Sequence, residues 1–280
     1  MLSDDVPGLL WMPGDISTMT LVETYKAAAP SVVAFISKFA RTQAGLAPIA
    51  PTIFGTGFLV HEDGIVAANR HVAEVFETLP KHPLTGEAGY GALLADYERT
   101  PDEERSGESF FRMMVVEVFG HSPFSGISQA GWYGEPNPDI AFVQLKIKET
   151  PFLKLANHEF YIQPGTSIAT AGFPLGTAPL TLMGKWHQLI PFVRGGIVSS
   201  VYPCAIPWPH GFTIDIMQQG GSSGSPIFYS GDPTVVGMMA SSVLDPIGVA
   251  SPQLSFQIGL NTNISIAIPA HIIDQAAIFS

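Results

Sequence analysis

At 280 residues the chain is long enough to bury a sizeable core in one two-lobed domain or two small ones, and its single cysteine excludes intrachain disulfides. A net charge of −11, with no cluster of Lys and Arg to neutralise phosphates, argues against nucleic acid as a partner, and no apolar run reaches the length of a membrane span. Gly 28 and Pro 24 fit a turn-rich all-β protein, while charged residues at 13% stand against a globular norm of roughly 25%, which leaves much of the surface neutral.

The start, Met1-Leu-Ser-Asp-Asp-Val, carries acids where a leader peptide needs a basic region and an apolar core, which predicts a cytoplasmic location. Residues 1–15 read as an irregular arm broken by Pro7 and Pro13. Its Leu9, Leu10 and Trp11 either fold back on the arm's own barrel or pack on a neighbour in a homo-oligomer. Ser17 is a plausible cap for a helix over 18–28, and Pro30 stops that helix. From Val32 to about Val75, β-branched and aromatic runs separated by Gly and Asp predict strands. The hairpin Gly55-Thr-Gly-Phe-Leu-Val60 and Gly64-Ile-Val-Ala-Ala-Asn-Arg-His71 delivers a histidine at a strand end, and Ala73–Leu79 could add a helical turn after it.

An insertion is expected over about 80–138, with room in it for further strands. Within it, the polar, acid-rich 96–108 segment reads as an exposed loop, either plain solvated surface or a lid or docking loop. Phe110–Phe119 looks like a return strand, and Trp132 and Tyr133 either line a cleft or pack. Asp139 opens the apolar run Ile140-Ala-Phe-Val-Gln-Leu145, so its carboxylate would sit at the mouth of a strand. After Lys148, Glu149-Thr150-Pro151 reads as a crossing. Short β-type runs then recur at 167–171, 185–193, 196–202, 212–216, 226–229, 235–242 and 264–268, which indicates a barrel or sandwich rather than alternating α/β units. A last helix is expected over 270–277, and Cys204, with no CxxC or His pattern around it, reads as a buried inert thiol.

The segment Gln219-Gly-Gly-Ser-Ser-Gly-Ser-Pro226 carries the chemistry. A serine hydroxyl needs a base to take its proton and donors to hold the oxyanion that forms when it attacks a carbonyl. Glycines at 221 and 224 let the backbone turn tightly enough to aim the amides of Gly221 and Ser223 at one point, which makes Ser223 the candidate nucleophile and those two amides the candidate oxyanion hole. Taken alone, the motif fits a hairpin loop without chemistry as well. His71 is the candidate general base and Asp139 the group that would fix its tautomer, giving the chain order His, Asp, Ser. His61 and His82 read as surface. His121, His158, His187, His210 and His271 have no HxH, HxxxH or HExxH spacing, so no metal and no cofactor is expected.

These three patterns in this order resemble the chymotrypsin-like serine peptidases, and more closely their HtrA (Deg) branch. The likeness extends to Leu21–Ala34 as entry helix and first strand, to Ala171-Gly-Phe-Pro-Leu-Gly176, Gly195-Gly-Ile-Val-Ser-Ser200 and Ile266-Ala-Ile-Pro-Ala270, and to Asp215, eight positions before Ser223. It implies an all-β chymotrypsin-like fold of two six-stranded antiparallel β-barrels with a short N-terminal helix and a C-terminal helix. The chain would then divide into an arm and helix over 1–30, a first barrel over 31–148, and a second barrel with the closing helix over 149–280, with the site between the barrels.

The resemblance further implies a serine endopeptidase acting on protein or peptide substrates. Its substrate pocket would be lined by Met217, Ala240, Ser241 and Ser242; lacking an acid at Met217, the pocket would take small or medium apolar side chains rather than Lys or Arg. Ser222 replaces an aspartate that zymogen-activated relatives pair with a freed N-terminus, so control by loop order is expected instead. No PDZ domain is read in the sequence. Two rival readings are a peptidase-like binding module that is inactive or needs an activating partner, and an esterase using the same triad.

Overall fold

The computed structural model describes residues 19–42, 45–95, 113–116, 118–123, 138–156, 162–176, 191–203, 209–251 and 254–278. The arm with Leu9, Leu10 and Trp11, the proposed cap Ser17, the acid-rich 96–108 segment, Phe110, Trp132, Tyr133, Lys185 and Cys204 all lie outside them.

Helix α1 (Leu21–Ala28) begins three residues later than the sequence reading placed it. Thr20 and Glu23 form a reciprocal capping box: the Thr20 hydroxyl accepts from the Glu23 amide at 3.3 Å, and the Glu23 carboxylate accepts from the Thr20 amide at 2.8 Å. Ser17 has Thr20 three positions on and cannot make that exchange. Pro30 does end the helix, inside a 3₁₀ turn (Ala29–Ser31) where its missing N–H leaves little unpaired.

The first lobe is an antiparallel sheet of β1 (Val32–Thr42), β2 (Gly45–His61), β3 (Ile65–Ala68), β4 (Tyr90–Ala95), β5 (Met113–Val116), β6 (Val118–Pro123) and β7 (Ala141–Leu145), in the order β5-β4-β1-β2-β3-β7-β6. The two edges of this sheet show how it relates to the expected six-stranded barrel. β5 and β6 are separated by one residue yet pair with opposite edges of the sheet, β4 and β7. The sheet must therefore curl until one chain segment spans both edges, and the two half-strands together do the work of a single sixth strand. β4, β5 and β6 all fall inside the stretch read as an insertion, which therefore contributes strands to the first sheet.

Side chains along β1 alternate between two cores, as a period of two requires. Val33 and Phe35 pack inside the lobe with Leu59, Val66 and Phe76. Val32, Ala34 and Ile36 pack outward, in a cluster shared with Ala169, Ala171, Phe173, Phe228 and Met238 of the second lobe. The two lobes thus meet across buried apolar surface.

The second lobe is a closed six-stranded antiparallel barrel of β8 (Ser167–Gly172), β9 (Phe192–Tyr202), β10 (Gly211–Ile214), β11 (Pro226–Tyr229), β12 (Asp232–Ser251) and β13 (Leu254–Pro269), in the order β10-β13-β12-β11-β8-β9. Ile168, Val198, Phe212, Ile227 and Met239 fill it. β12 and β13 run well past their expected ends, pairing as far as Ser251 with Leu254. Pro246 and Gly259 sit opposite one another in that extension. Neither is disruptive there, because a two-stranded ribbon with open outer edges has no further ladder for them to interrupt. The chain closes with a C-terminal helix (Ala270–Ile278) whose Ile272 and Ile273 join the shared core. No described helix is long and apolar enough to cross a membrane.

Candidate active site

His71 is placed by a helix rather than by a strand end. Helix α2 (Arg70–Thr78) starts directly after β3, with Asn69 as its N-cap residue. The helix is pinned to the first-lobe core by Phe76, which meets Phe35 edge-on at 5.3 Å and stacks on Tyr90 at 4.6 Å. Asn69 is fully buried, and its side chain does not cap the helix; its Nδ2 donates to the Asp139 carbonyl at 2.9 Å. The first turn of α2 is thereby tied to the residue that opens β7.

Asp139 then grips His71 at two points. One carboxylate oxygen accepts from the His71 backbone N–H at 3.0 Å, an amide of the first helical turn that has no partner within the helix; the other lies 2.6 Å from His71 Nδ1. A carboxylate on Nδ1 selects the tautomer with the proton on that nitrogen, leaving Nε2 unprotonated and able to act as a base. Burial pushes the Asp139 carboxyl up, but the bonds from the His71 ring and backbone and the charge of Arg70 outweigh it and hold the group below its ordinary value. The imidazole is half exposed, so a reacting group can reach it from solvent.

Ser223 lies in the loop between β10 and β11. Gly221 and Gly224 adopt φ of +88° and +85°, a region that L side chains rarely enter. A Cβ at Gly221 would run into the Phe173 carbonyl, and one at Gly224 into the Thr56 carbonyl. The same point beside Gly224 is 3.5 Å from the Asn69 amide, so the nucleophile loop adjoins the start of the helix that carries His71.

One first-lobe residue, Thr56 on β2, holds this loop. Its amide donates to the Ser223 carbonyl at 2.9 Å, and its hydroxyl donates to the Gly221 carbonyl at 2.6 Å while accepting from the Phe173 amide at 3.2 Å. On the other side the Gly224 amide donates to Met239 and the Met239 amide to Ser225, each at 2.9 Å, which fastens the loop to β12. The Ser222 and Ser225 amides are spent on Gln219 and Ser222 carbonyls within the loop. Among the described residues no backbone carbonyl takes the Gly221 or Ser223 amide.

The residues expected to line a substrate pocket are only partly assembled around this loop. Ala240 is linked to Ser223 through Gln218, whose Nε2 donates to the Ala240 carbonyl at 3.2 Å and to Ser223 Oγ at 2.9 Å. Met217 is half-buried, with its carbonyl taken by the Arg194 guanidinium, which also donates to Ser222 Oγ at 3.2 Å. Burial lowers the Arg194 guanidinium from its ordinary value. Ser241 is exposed, and the Ser242 hydroxyl turns to Asn261 of β13 at 3.4 Å. Asp215 accepts from the Ile197 amide at 2.6 Å and its carbonyl accepts from Asn263 at 2.9 Å, so it braces the approach to the nucleophile loop. Thr56, Asn69, Arg194 and Gln218 were not singled out by sequence reasoning. Only Thr56 carried a local signal, in the tripeptide Gly55-Thr-Gly57.

Residues 55–238 match the family model of the trypsin-like peptidase domain. The fold is similar to that of the HtrA-type protease AlgW with decapeptide, at 14% identity over 93% of this chain and 68% of that chain, with a TM-score of 0.54. Two AlgW variant structures are similar at 15% identity. The one with decapeptide matches over 93% of this chain and 67% of that chain with a TM-score of 0.52, and the one with tripeptide over 92% and 62% with a TM-score of 0.51. At such identities the likeness is one of fold, and about a third of each of those chains has no counterpart here. No curated protein matches the chain.

Proposed function

The chain belongs to the trypsin-like peptidase family, and on that premise we propose that it is a serine endopeptidase working through Ser223, His71 and Asp139. His71 Nε2 takes the Ser223 hydroxyl proton as Oγ attacks the scissile carbonyl carbon, and the Gly221 and Ser223 amides hold the oxyanion. The imidazolium, steadied by Asp139, then gives that proton to the departing amine as the C–N bond breaks. Water, deprotonated by the same imidazole, releases the acyl group and restores Ser223. The observation that carries this reading is the two-point hold of Asp139 on His71, which spends both carboxylate oxygens on one residue and leaves Nε2 for chemistry.

Peptides and proteins are the proposed substrates, in keeping with the peptides in the AlgW structures. Small or medium apolar residues before the cleaved bond fit the neutral Met217 and Ala240. Control by an activating partner or by self-association belongs to the same proposal. A second reading, a peptidase-like binding module, draws on the Gln218 amide that already occupies Ser223 Oγ.

A fluorophosphonate probe separates the two, because Ser223 Oγ forms a bond to phosphorus and fluoride leaves only if the hydroxyl is activated. Stoichiometric labelling at Ser223, lost in Ser223→Ala and His71→Ala, is expected. Folded wild type that stays unlabelled would favour the binding module. Ester cleavage without cleavage of an unfolded protein would favour the esterase.

A further inference from the structure

We infer that Gln218 is a specificity-determining residue: its side-chain amide occupies the ground between the nucleophile and β12, and an incoming substrate side chain larger than alanine has to displace it. The inference rests on Ser223 being the nucleophile of a serine peptidase. Gln218 is five positions before Ser223 and only 8% exposed. One nitrogen, Nε2, reaches both Ser223 Oγ at 2.9 Å and the Ala240 carbonyl at 3.2 Å. The orientation of the amide is fixed by chemistry, since a carbonyl can only accept and the nitrogen must face Ala240. Both N–H bonds of the –NH₂ group are therefore used, one on the nucleophile and one on the strand beside it.

Such an amide is a peptide-like group already in contact with the nucleophile, and it affects reaction in two ways. Its N–H takes a lone pair of Oγ, so the oxygen is a poorer nucleophile until the amide leaves. Its bulk also fills the space beside Ala240. A glycine or alanine side chain can be accommodated with Gln218 in place; leucine or phenylalanine must exchange both N–H bonds for the contacts that it brings. Two neutral hydrogen bonds correspond to a penalty of about 10-fold to 100-fold against the larger residues. The amide can be released, because among the described residues Oε1 has no partner to hold it, and Gly220 in the same loop is exposed, with no described heavy atom other than its chain neighbours within 4 Å of where a side chain would stand. The substrate class thus narrows to peptides with a small residue before the cleaved bond.

Gln218→Ala removes both the bulk and the donors, and Gln218→Met keeps the length but has no N–H. The second-order rate of fluorophosphonate labelling at Ser223 is measured for wild type and both variants. kcat/KM is measured on peptides that differ only in having alanine or leucine before the scissile bond. Labelling about tenfold faster in both variants, with the alanine preference collapsing by tenfold or more in Gln218→Ala and retained in Gln218→Met, is the expected result. Equal losses on both peptides with labelling no faster would mean that Gln218 is only a structural support, and the inference would fail while the peptidase reading stood. Absence of labelling in all three proteins, each folded by circular dichroism, would overturn both.

Discussion

Replacing Thr56 by valine keeps the shape of the side chain and deletes one hydroxyl. That hydroxyl is fully buried and serves two partners from the second lobe, the Gly221 carbonyl at 2.6 Å and the Phe173 amide at 3.2 Å. Both partners would stay buried without a hydrogen bond, at a cost of about 1–3 kcal/mol for each such group, so a loss of about 2–6 kcal/mol is expected. For a chain of this size one kcal/mol moves Tm by about 2–4 °C, which puts the fall at about 4–24 °C. Activity should drop as well, because the Gly221 peptide is the approach to the nucleophile and small misplacements at a reacting centre cost up to about 10²-fold. Thr56→Ser is the control. It keeps the hydroxyl and loses one buried methyl, worth about 1 kcal/mol, and should retain the wild-type labelling rate. The measurements are thermal unfolding by circular dichroism and the rate of fluorophosphonate labelling. A Thr56→Val protein as stable as Thr56→Ser and labelled as fast as wild type would refute the assignment of Thr56 as the bolt between the lobes.

Asp139→Asn should lower kcat by about 10⁴-fold, since the amide favours the wrong imidazole tautomer. It should also alter acid stability: the folded carboxyl lies below its ordinary value near 3.9, so its contribution is complete above about pH 4 and is lost as pH falls through the folded value. The stability gap between wild type and variant, followed by denaturant unfolding, should therefore shrink in acid, and a gap independent of pH would contradict the observed pairing with His71. Gly224→Ala would force a side chain onto the Thr56 carbonyl at φ of +85° and should abolish labelling at Ser223; a fully labelled variant would show that the loop does not need this turn. Burial, and then the charge of Asp232, pushes the Tyr229 phenol up to about 12. Stability from its neutral form is whole below about pH 10 and lost as pH rises through about 12, so Tyr229→Phe should flatten the alkaline fall in Tm, with the phenol itself followed by absorbance at 295 nm.

What could be read from the sequence was what each residue announces within its own neighbourhood. The turn that carries Ser223 was legible because Gly221 and Gly224 are required by the backbone itself, whatever the rest of the molecule does. His71 and Asp139 were legible as a histidine after a hairpin and an acid before a strand, and the structure brings them within 2.6 Å of one another. The setting of His71 was misread. Ile65-Val-Ala-Ala68 continues so smoothly into Asn69 and Arg70 that the helix seemed to start at Ala73, whereas the first-turn amide at His71 is one of the contacts that Asp139 uses. Within the stretch read as an insertion, Phe110–Phe119 was legible as a return strand, where β5 and the start of β6 lie; Tyr90–Ala95 was not, because it becomes a strand by pairing with β1, more than fifty residues away in sequence.

Thr56 and Gln218 show where that local legibility ends. A threonine between two glycines on a strand could face any partner; its importance comes from a carbonyl 165 positions later. Gln218 is close in sequence to Ser223, yet neutral amides are ordinary in loops, and only the positions of Ser223 Oγ and the Ala240 carbonyl give this one a role. The division has a physical basis. Producing a nucleophile requires particular residue types and backbone angles, and these leave marks in adjacent positions. Fitting two lobes together and deciding what the site admits require only that some donor meet some acceptor, and many residue types satisfy that demand. Reactivity here is therefore written locally, while registration and selectivity are written in pairs that only the fold brings together.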